Sequence, residues 1–138
     1  MLKFKSFFLF FLCFTFLWAY DWFKDLDKAK KLAKKESKLI LVYVYSEHCP
    51  YCHQVEEFVF GDEYVEKFLN KNFIIVSIDI EDIKDNPIPG FNIFGVPTFI
   101  VYNPLNEKVL YKFFGSVDSE TFLSLLKRSC NKSNLRRC

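Results

Sequence analysis

From residue 22 onward, the pattern of apolar and polar positions changes between one typical of amphipathic helices and one typical of buried strands. In residues 22–37 the apolar residues recur at intervals of three and four, which predicts an amphipathic helix with Trp22 and Ala33 on its apolar face. The next segment, KLILVYVYS at 38–46, is a continuous apolar run rich in Val, Ile and Tyr. Such a run predicts a central strand that is covered on both faces.

The rest of the chain divides into further helices and strands by the same criteria. The predicted segments are helices at 50–60 and 62–71, a strand at 73–80, a polar loop at 81–92, strands at 98–102 and 108–115, and a last helix capped by Asp118 or Ser119. The first two strands are joined through helices and should lie parallel, whereas the last two are joined by a short turn and should lie antiparallel. The predicted fold class is α/β, with a mixed four- to five-stranded sheet and helices on both faces.

The first 19 residues differ in composition from the rest of the chain. Residues 1–19 hold Lys3 and Lys5, followed by an uncharged run rich in Phe and Leu that reaches the small residue Ala19. This order is typical of a secretory signal peptide, and the run is shorter than the roughly 20 apolar residues of a membrane span. We expect a signal peptide at 1–19, with an N-terminal membrane anchor as the alternative, and hence an exported, periplasmic protein.

Length and charge limit what the remainder can be. The chain has 138 residues, enough for one domain, and outside 1–19 it has equal numbers of basic and acidic residues, 17 of each. Nothing therefore favours nucleic acid binding, whose affinity rests on clustered Lys and Arg. We expect one domain at 22–130, a polar tail at 131–138 and a monomer. Cys130 and Cys138 flank the tail, where either a local disulfide or free thiols are expected.

Two other cysteines form the motif CPYC between the predicted central strand and the following helix. A helix N-terminus carries partial positive charge and free N–H groups, and both stabilise a thiolate. Cys49 is therefore the expected nucleophile, and Cys52, one turn further along, is expected to resolve the mixed disulfide. Pro50 suits the first turn of a helix, and Pro50 and Tyr51 together fix the turn. In an oxidising compartment Cys49 and Cys52 can form a disulfide.

The longer string HCPYCH also permits two other chemistries. Haem attachment would use Cys49, Cys52 and His53, but beyond Met1 the chain has no Met, and His48 is the other His that could serve as an axial ligand. A zinc or copper site from two Cys and two His is conceivable, but histidines adjacent to the cysteines are expected to splay away from a common centre. We expect no cofactor and no metal.

Four pieces of the chain resemble the thioredoxin superfamily, in particular the periplasmic thioredoxin-like domain of the DsbD reductant transporters and related small exported thioredoxins. The pieces are VYSEHCPYC, EEFVFGDEYVEKFL, FGVPTFIVYNP and FFGSVDSETFLSLL, in that order. The resemblance implies a thioredoxin fold with Pro97 as a cis-proline packed against the dithiol. It also implies that the backbone of Val96 hydrogen-bonds a substrate peptide as an added strand. Pro50 and Tyr51 complete the expected substrate-binding residues.

Two positions bear on how the resolving thiol loses its proton. The family has a buried Asp six residues before the first active cysteine, and here that position is Tyr43, which cannot act as a general base near neutral pH. Glu56 lies where the DsbD domain has an acidic residue, one helical turn from Cys52, and it could accept the proton of that thiol. The alternative is that Glu56 is a solvated helix residue. The Pro-Tyr pair is that of glutaredoxins, but no other glutathione-binding feature is evident.

The sequence therefore predicts an exported thiol–disulfide oxidoreductase that exchanges Cys49–Cys52 with protein disulfides, and the resemblance favours the reductant direction. Expected partners are protein thiols and disulfides, and a reductant would also need a membrane electron donor of the DsbD type. The alternative from another class is a non-catalytic peptide-binding or chaperone module on the same fold, which the intact CxxC disfavours.

Overall fold

The computed structural model describes residues 22–135, so the segment expected to be a signal peptide or anchor, and Cys138, lie outside the described residues. The elements are α1 Leu26–Glu36, β1 Leu39–Tyr45, α2 Pro50–Phe58, α3 Glu63–Asn72, β2 Phe73–Asp79, α4 Ile80–Asp85, β3 Thr98–Asn103, β4 Lys108–Phe114 and α5 Ser119–Ser133. Between residues 22 and 135, none of the helices combines the length and apolar character needed to span a bilayer.

The strands form one sheet in the order β2-β1-β3-β4. β1 and β2 are parallel, whereas β3 is antiparallel to both β1 and β4. The predicted mixed sheet is confirmed, with the parallel pair joined through helices and the last two strands joined by a turn. In this topology the end of β1 and the start of β3 meet at one edge of the sheet, because Val44 pairs with Thr98.

The central strand β1 is covered on both faces, as its continuous apolar run predicts. Leu41 and Tyr43 face a core shared with α2, α3 and α5. Ile40 and Val42 face a second core that contains the buried alanines of α1. Residues Leu39 to Val44 are all fully buried. Both faces of the central strand are therefore buried in the core.

The first helix begins later than predicted, at Leu26. Asp25 caps it, with a carboxylate oxygen that accepts from two backbone N–H groups of the first turn. Phe23 is extended and forms an isolated parallel bridge with Val76 at the edge of β2. Trp22 therefore precedes the helix and does not lie on its apolar face.

Three further details differ from the sequence expectations. The predicted loop 81–92 begins within the short helix α4, which Asp79 caps through a hydrogen bond to the N–H of Glu81. Helix α5 continues to Ser133, so the first residues of the expected tail are helical. The spacing of Phe58 from Val55 predicts that both lie on the inner side of α2, but Phe58 is the last residue of that helix and is 66% exposed.

Candidate active site at the end of the central strand

Cys49 is placed by the junction between β1 and α2. It is the N-cap of α2, with extended dihedrals of φ −101° and ψ 104°. Its Sγ accepts a hydrogen bond from the backbone N–H of Cys52 at 3.1 Å. Pro50 occupies the first turn, where a missing N–H removes no helical hydrogen bond. The motif thus puts a sulfur atom where the free N–H groups of a helix converge.

The two sulfurs are bonded to each other and differ in their access to solvent. Cys49 and Cys52 form a disulfide, with their Cα atoms 5.2 Å apart. Cys49 is 7% exposed and Cys52 is fully buried. Pro50 and Tyr51 are exposed beside them on the first turn of α2. A macromolecule approaching this edge therefore meets Cys49 first.

A second element of the site is the turn before β3. The peptide bond between Val96 and Pro97 is cis. Val96 is partly buried and packs against the core cluster that contains both cysteines. Thr98 fixes the turn by donating a hydrogen bond from Oγ1 to the carbonyl of Gly95 at 2.7 Å. The strand pairing described above brings this turn and the CPYC segment to the same edge of the sheet.

Tyr43 lies beneath the dithiol on β1 and is fully buried. Its hydroxyl donates a hydrogen bond to Oε1 of Glu56 at 2.9 Å and lies 3.4 Å from the carbonyl oxygen of Cys52. Burial, and then the hydrogen bond with Glu56, raise the pKa of Tyr43 far above its ordinary value. Tyr43 therefore stays protonated and acts as a donor. At the position where the resemblance implies a buried Asp, this chain therefore has a hydroxyl donor bonded to Glu56.

The two histidines of HCPYCH lie on the solvent side of the site. His48 is exposed. The Nε2 atom of His53 lies 3.0 Å from the carbonyl oxygen of Glu47, and its Nδ1 lies 3.7 Å from Oε2 of Glu56. Among the residues from 22 to 135, no three or more His, Cys, Asp or Glu side chains are grouped as metal ligands would be. Cys130 is buried in α5, and Cys138 lies outside the described residues.

Two exposed phenylalanines flank the cis-proline turn. Phe94 is 91% exposed and precedes the turn by two residues, and Phe114 is 68% exposed and pairs with Thr98. Lys112 lies over the ring of Phe94, with its Nζ 5.4 Å from the ring centroid. These side chains border a shallow cavity of about 250 Å³. An apolar surface therefore lies beside the start of β3, where Thr98 follows the cis-proline.

The sequence interpretation missed this aromatic surface, although the chain contains a signal for it. Successive residues of a strand point to opposite faces, so the adjacent Phe113 and Phe114 predict that one of them faces away from the core. The structure packs the partly buried Phe113 against the core cluster and leaves Phe114 exposed. Gly95 belongs to the same feature, because a Cβ at this position would lie 2.7 Å from the ring of Phe114.

Comparison with known sequences gives one family match and several partial relatives. A family model described as a thioredoxin-like domain matches residues 26–129. The chain is 40% identical over 65 residues to Spermatogenesis-associated protein 20 of Mus musculus. It is 24% identical over 103 residues to the Thiol:disulfide interchange protein DsbD of Campylobacter jejuni (strain RM1221). These matches cover 47% and 72% of this chain but only 8% and 18% of those proteins.

Solved structures with the same fold include a thioredoxin from Thermus thermophilus. It is 28% identical, superposes with a TM-score of 0.69, and the match covers 84% of this chain and 92% of that one. The oxidised C-terminal domain of DsbD from Neisseria meningitidis is 15% identical, with a TM-score of 0.63 over 78% of this chain and 98% of that domain. The second likeness supports the fold alone.

Proposed function

Because the chain belongs to the thioredoxin-like domain family, we propose that it is an exported thiol–disulfide oxidoreductase that reduces protein disulfides with the Cys49–Cys52 pair. The observation that carries the proposal is the position of Cys49, which caps α2 with its sulfur and is disulfide-bonded to the buried Cys52. The proposed organisation has a signal peptide at 1–19 and a thioredoxin-like domain at 22–130, acting as a monomer in the periplasm.

In the proposed reaction, the thiolate of Cys49 attacks one sulfur of a substrate disulfide. A bond forms between Cys49 and that sulfur, and the other substrate sulfur leaves as a thiolate. Cys52 then gives up its proton and attacks Sγ of Cys49. The Cys49–Cys52 disulfide forms, and the second substrate sulfur leaves. Two electrons pass to the substrate, and a thiol donor, proposed to be a membrane protein of the DsbD type, returns two electrons to the pair.

The chain's own groups supply the charge stabilisation that these steps need. The N–H of Cys52, which donates to the sulfur of Cys49, and the partial positive charge of the α2 N-terminus both favour the thiolate of Cys49. The leaving proton of Cys52 is proposed to pass to Glu56, one turn along the same helix. Pro50, Tyr51, Val96 and Pro97 are proposed to bind the substrate.

The reduction potential of the Cys49–Cys52 pair is the measurement that tests the direction. We expect a value near that of thioredoxin, about −270 mV, when the purified protein is equilibrated with glutathione or dithiothreitol buffers. A potential near about −120 mV would make the protein an oxidant. Failure of the reduced protein to cleave insulin disulfides would remove the reductase proposal, and a Soret absorption band would favour the haem alternative.

Glu56→Gln is expected to slow the resolution step by about 10-fold or more, because the amide cannot take up the proton of Cys52. The first attack by Cys49 should hardly change, since the helix N-terminus stabilises that thiolate. Glu57→Gln is the matched control, because Glu57 is the exposed neighbour of Glu56 on the same helix. Stopped-flow measurement of the two steps between pH 6 and 8 checks the prediction. Equal resolution rates for Glu56→Gln and wild type would make Glu56 a solvated helix residue.

Phe94→Ala is expected to raise KM for a protein disulfide by about 5-fold while kcat is unchanged, because a large exposed aromatic ring beside the cis-proline turn offers apolar contact to a bound chain. Reaction with a small disulfide reagent should keep its wild-type rate. Tyr64→Ala is a suitable control, since Tyr64 is a comparably exposed aromatic residue on α3. An unchanged KM for Phe94→Ala would remove Phe94 from the substrate surface.

A further inference from the structure

Tyr43 and Glu56 are hydrogen-bonded beneath the dithiol, and we propose that Tyr43 is a positioning residue that holds Glu56 where it can accept the proton of Cys52. The inference rests on the proposed function and deepens it, because it concerns the resolution step of the same site. Tyr43 would act through Glu56 and would not itself exchange a proton.

The carboxylate of Glu56 needs such a partner because its position on α2 does not by itself select one side-chain rotamer. Its side chain is 38% exposed, on a helix that ends two residues later. A glutamate at such a position has many solvated rotamers, which turn its carboxylate away from the preceding turn of the helix. The hydrogen bond from Tyr43 selects a rotamer that points inward, under α2. The second oxygen, Oε2, remains on the solvent side, 3.7 Å from His53.

Tyr43 can hold this carboxylate because its own ring is fixed by four neighbouring aromatic rings. The centroids of the four rings lie 5.0 to 5.9 Å from that of Tyr43. These rings belong to Trp22, Tyr45, Phe60 and Phe99. The hydroxyl also lies 3.4 Å from the carbonyl oxygen of Cys52. One rigid donor therefore contacts both Glu56 and the backbone of the residue whose thiol must be deprotonated.

Tyr43 keeps its role as a hydrogen-bond donor over the pH range of interest. Since burial and the bond to Glu56 raise the pKa of Tyr43, the hydroxyl stays protonated below and above neutrality. Among the described residues, His53 on α2 and Tyr45 on β1 also face the pair, and Lys24 donates to the hydroxyl of Tyr45 at 3.1 Å.

The resolution step can be measured by mixing the reduced protein with excess 5,5′-dithiobis(2-nitrobenzoate) in a stopped-flow instrument. Attack by Cys49 forms a mixed disulfide and releases one thionitrobenzoate, at a rate that rises with reagent concentration. Attack by Cys52 on Sγ of Cys49 then releases the second thionitrobenzoate, at a rate independent of reagent concentration. The trace of the Cys49→Ser/Cys52→Ser variant is subtracted to remove the signal of any other thiols.

Tyr43→Phe removes only the hydroxyl, so the ring packing is kept. We expect the second phase to slow by about 3- to 10-fold, the range that one hydrogen bond of ordinary strength supplies. The first phase should be unchanged, and the dependence of the second phase on pH should shift toward that of Glu56→Gln. Tyr45→Phe is the matched control, because it makes the same chemical change two residues along β1 without touching Glu56.

The double variant Tyr43→Phe/Glu56→Gln separates positioning from a general effect on packing. If Tyr43 acts through Glu56, the double variant should resolve no more slowly than Glu56→Gln alone. Multiplied losses in the double variant, or a second phase of wild-type rate and pH dependence in Tyr43→Phe, would overturn the inference while leaving the oxidoreductase function in place. A wild-type protein whose mixed disulfide is never resolved would overturn both.

Discussion

Cys49→Ser is expected to abolish disulfide reductase activity. The hydroxyl of serine is not ionised near neutral pH, so the variant has no nucleophile to open a substrate disulfide. Serine is one of the preferred N-cap residues, and its oxygen can accept the hydrogen bond that the N–H of Cys52 now gives to sulfur. The start of α2 should therefore be retained, and the loss should be chemical.

Insulin reduction assayed by turbidity checks the prediction, with thermal unfolding as the control for folding. The melting temperature of Cys49→Ser should be compared with that of the reduced wild-type protein, because the variant also lacks the disulfide. Measurable turnover with a well-folded Cys49→Ser would assign the nucleophile to another thiol. The chaperone alternative would be supported instead if the wild type had no reductase activity and both the wild type and Cys49→Ser suppressed the aggregation of another protein.

The sequence carried most of the information about the sheet. The uninterrupted apolar run at 38–46 has no polar face to turn toward water, so it could be placed only in the middle of a layered fold. Pro50 immediately after Cys49 favours a helix start at the motif, since proline fits a first turn and not a helix interior. The end of the strand and the start of the helix together predict that the sulfur of Cys49 lies at the N-terminus of α2, as it does.

The details that the sequence missed depend on tertiary contacts. The spacing of Trp22 fits the apolar face of α1, but Asp25 begins the helix three residues later, and Trp22 packs edge-on against Tyr43 and Phe60. Phe58 has helical spacing with Val55, yet α2 ends there and the Phe58 side chain is mostly exposed. The spacing of apolar residues predicts which face of a helix is buried. It does not predict at which residue the helix begins or ends, or how far a neighbouring element covers that face.

The bond between Tyr43 and Glu56 is a similar case. Each residue can be singled out from the sequence. Tyr43 stands where the resemblance implies a buried Asp, and Glu56 lies one helical turn after Cys52. They are thirteen residues apart, on a strand and a helix whose packing the sequence does not specify. Only that packing shows that Tyr43 donates a hydrogen bond to Glu56.

Cys52→Ala is expected to stop turnover and to trap substrates on Cys49. The nucleophile and its helix N-terminus remain, so the first attack proceeds, but no thiol is present to break the mixed disulfide. Alanine is preferable to serine for this experiment. Cys52 is fully buried, and an unsatisfied hydroxyl there would cost about 1–3 kcal/mol of stability, whereas a methyl group leaves only a small cavity.

The trapped species should appear as higher bands on non-reducing gels of cells that express Cys52→Ala, and these bands should collapse to the free chain after dithiothreitol treatment. Mass spectrometry of the bands would give the substrate and the cysteine linked to Cys49. Cys49→Ser/Cys52→Ala is the control, because it keeps the same surface without the nucleophile and should trap nothing. Insulin reduction by Cys52→Ala at the wild-type rate would show that another group resolves the mixed disulfide. Glu56 would then have no proton to accept from Cys52, and the role proposed for it would be wrong.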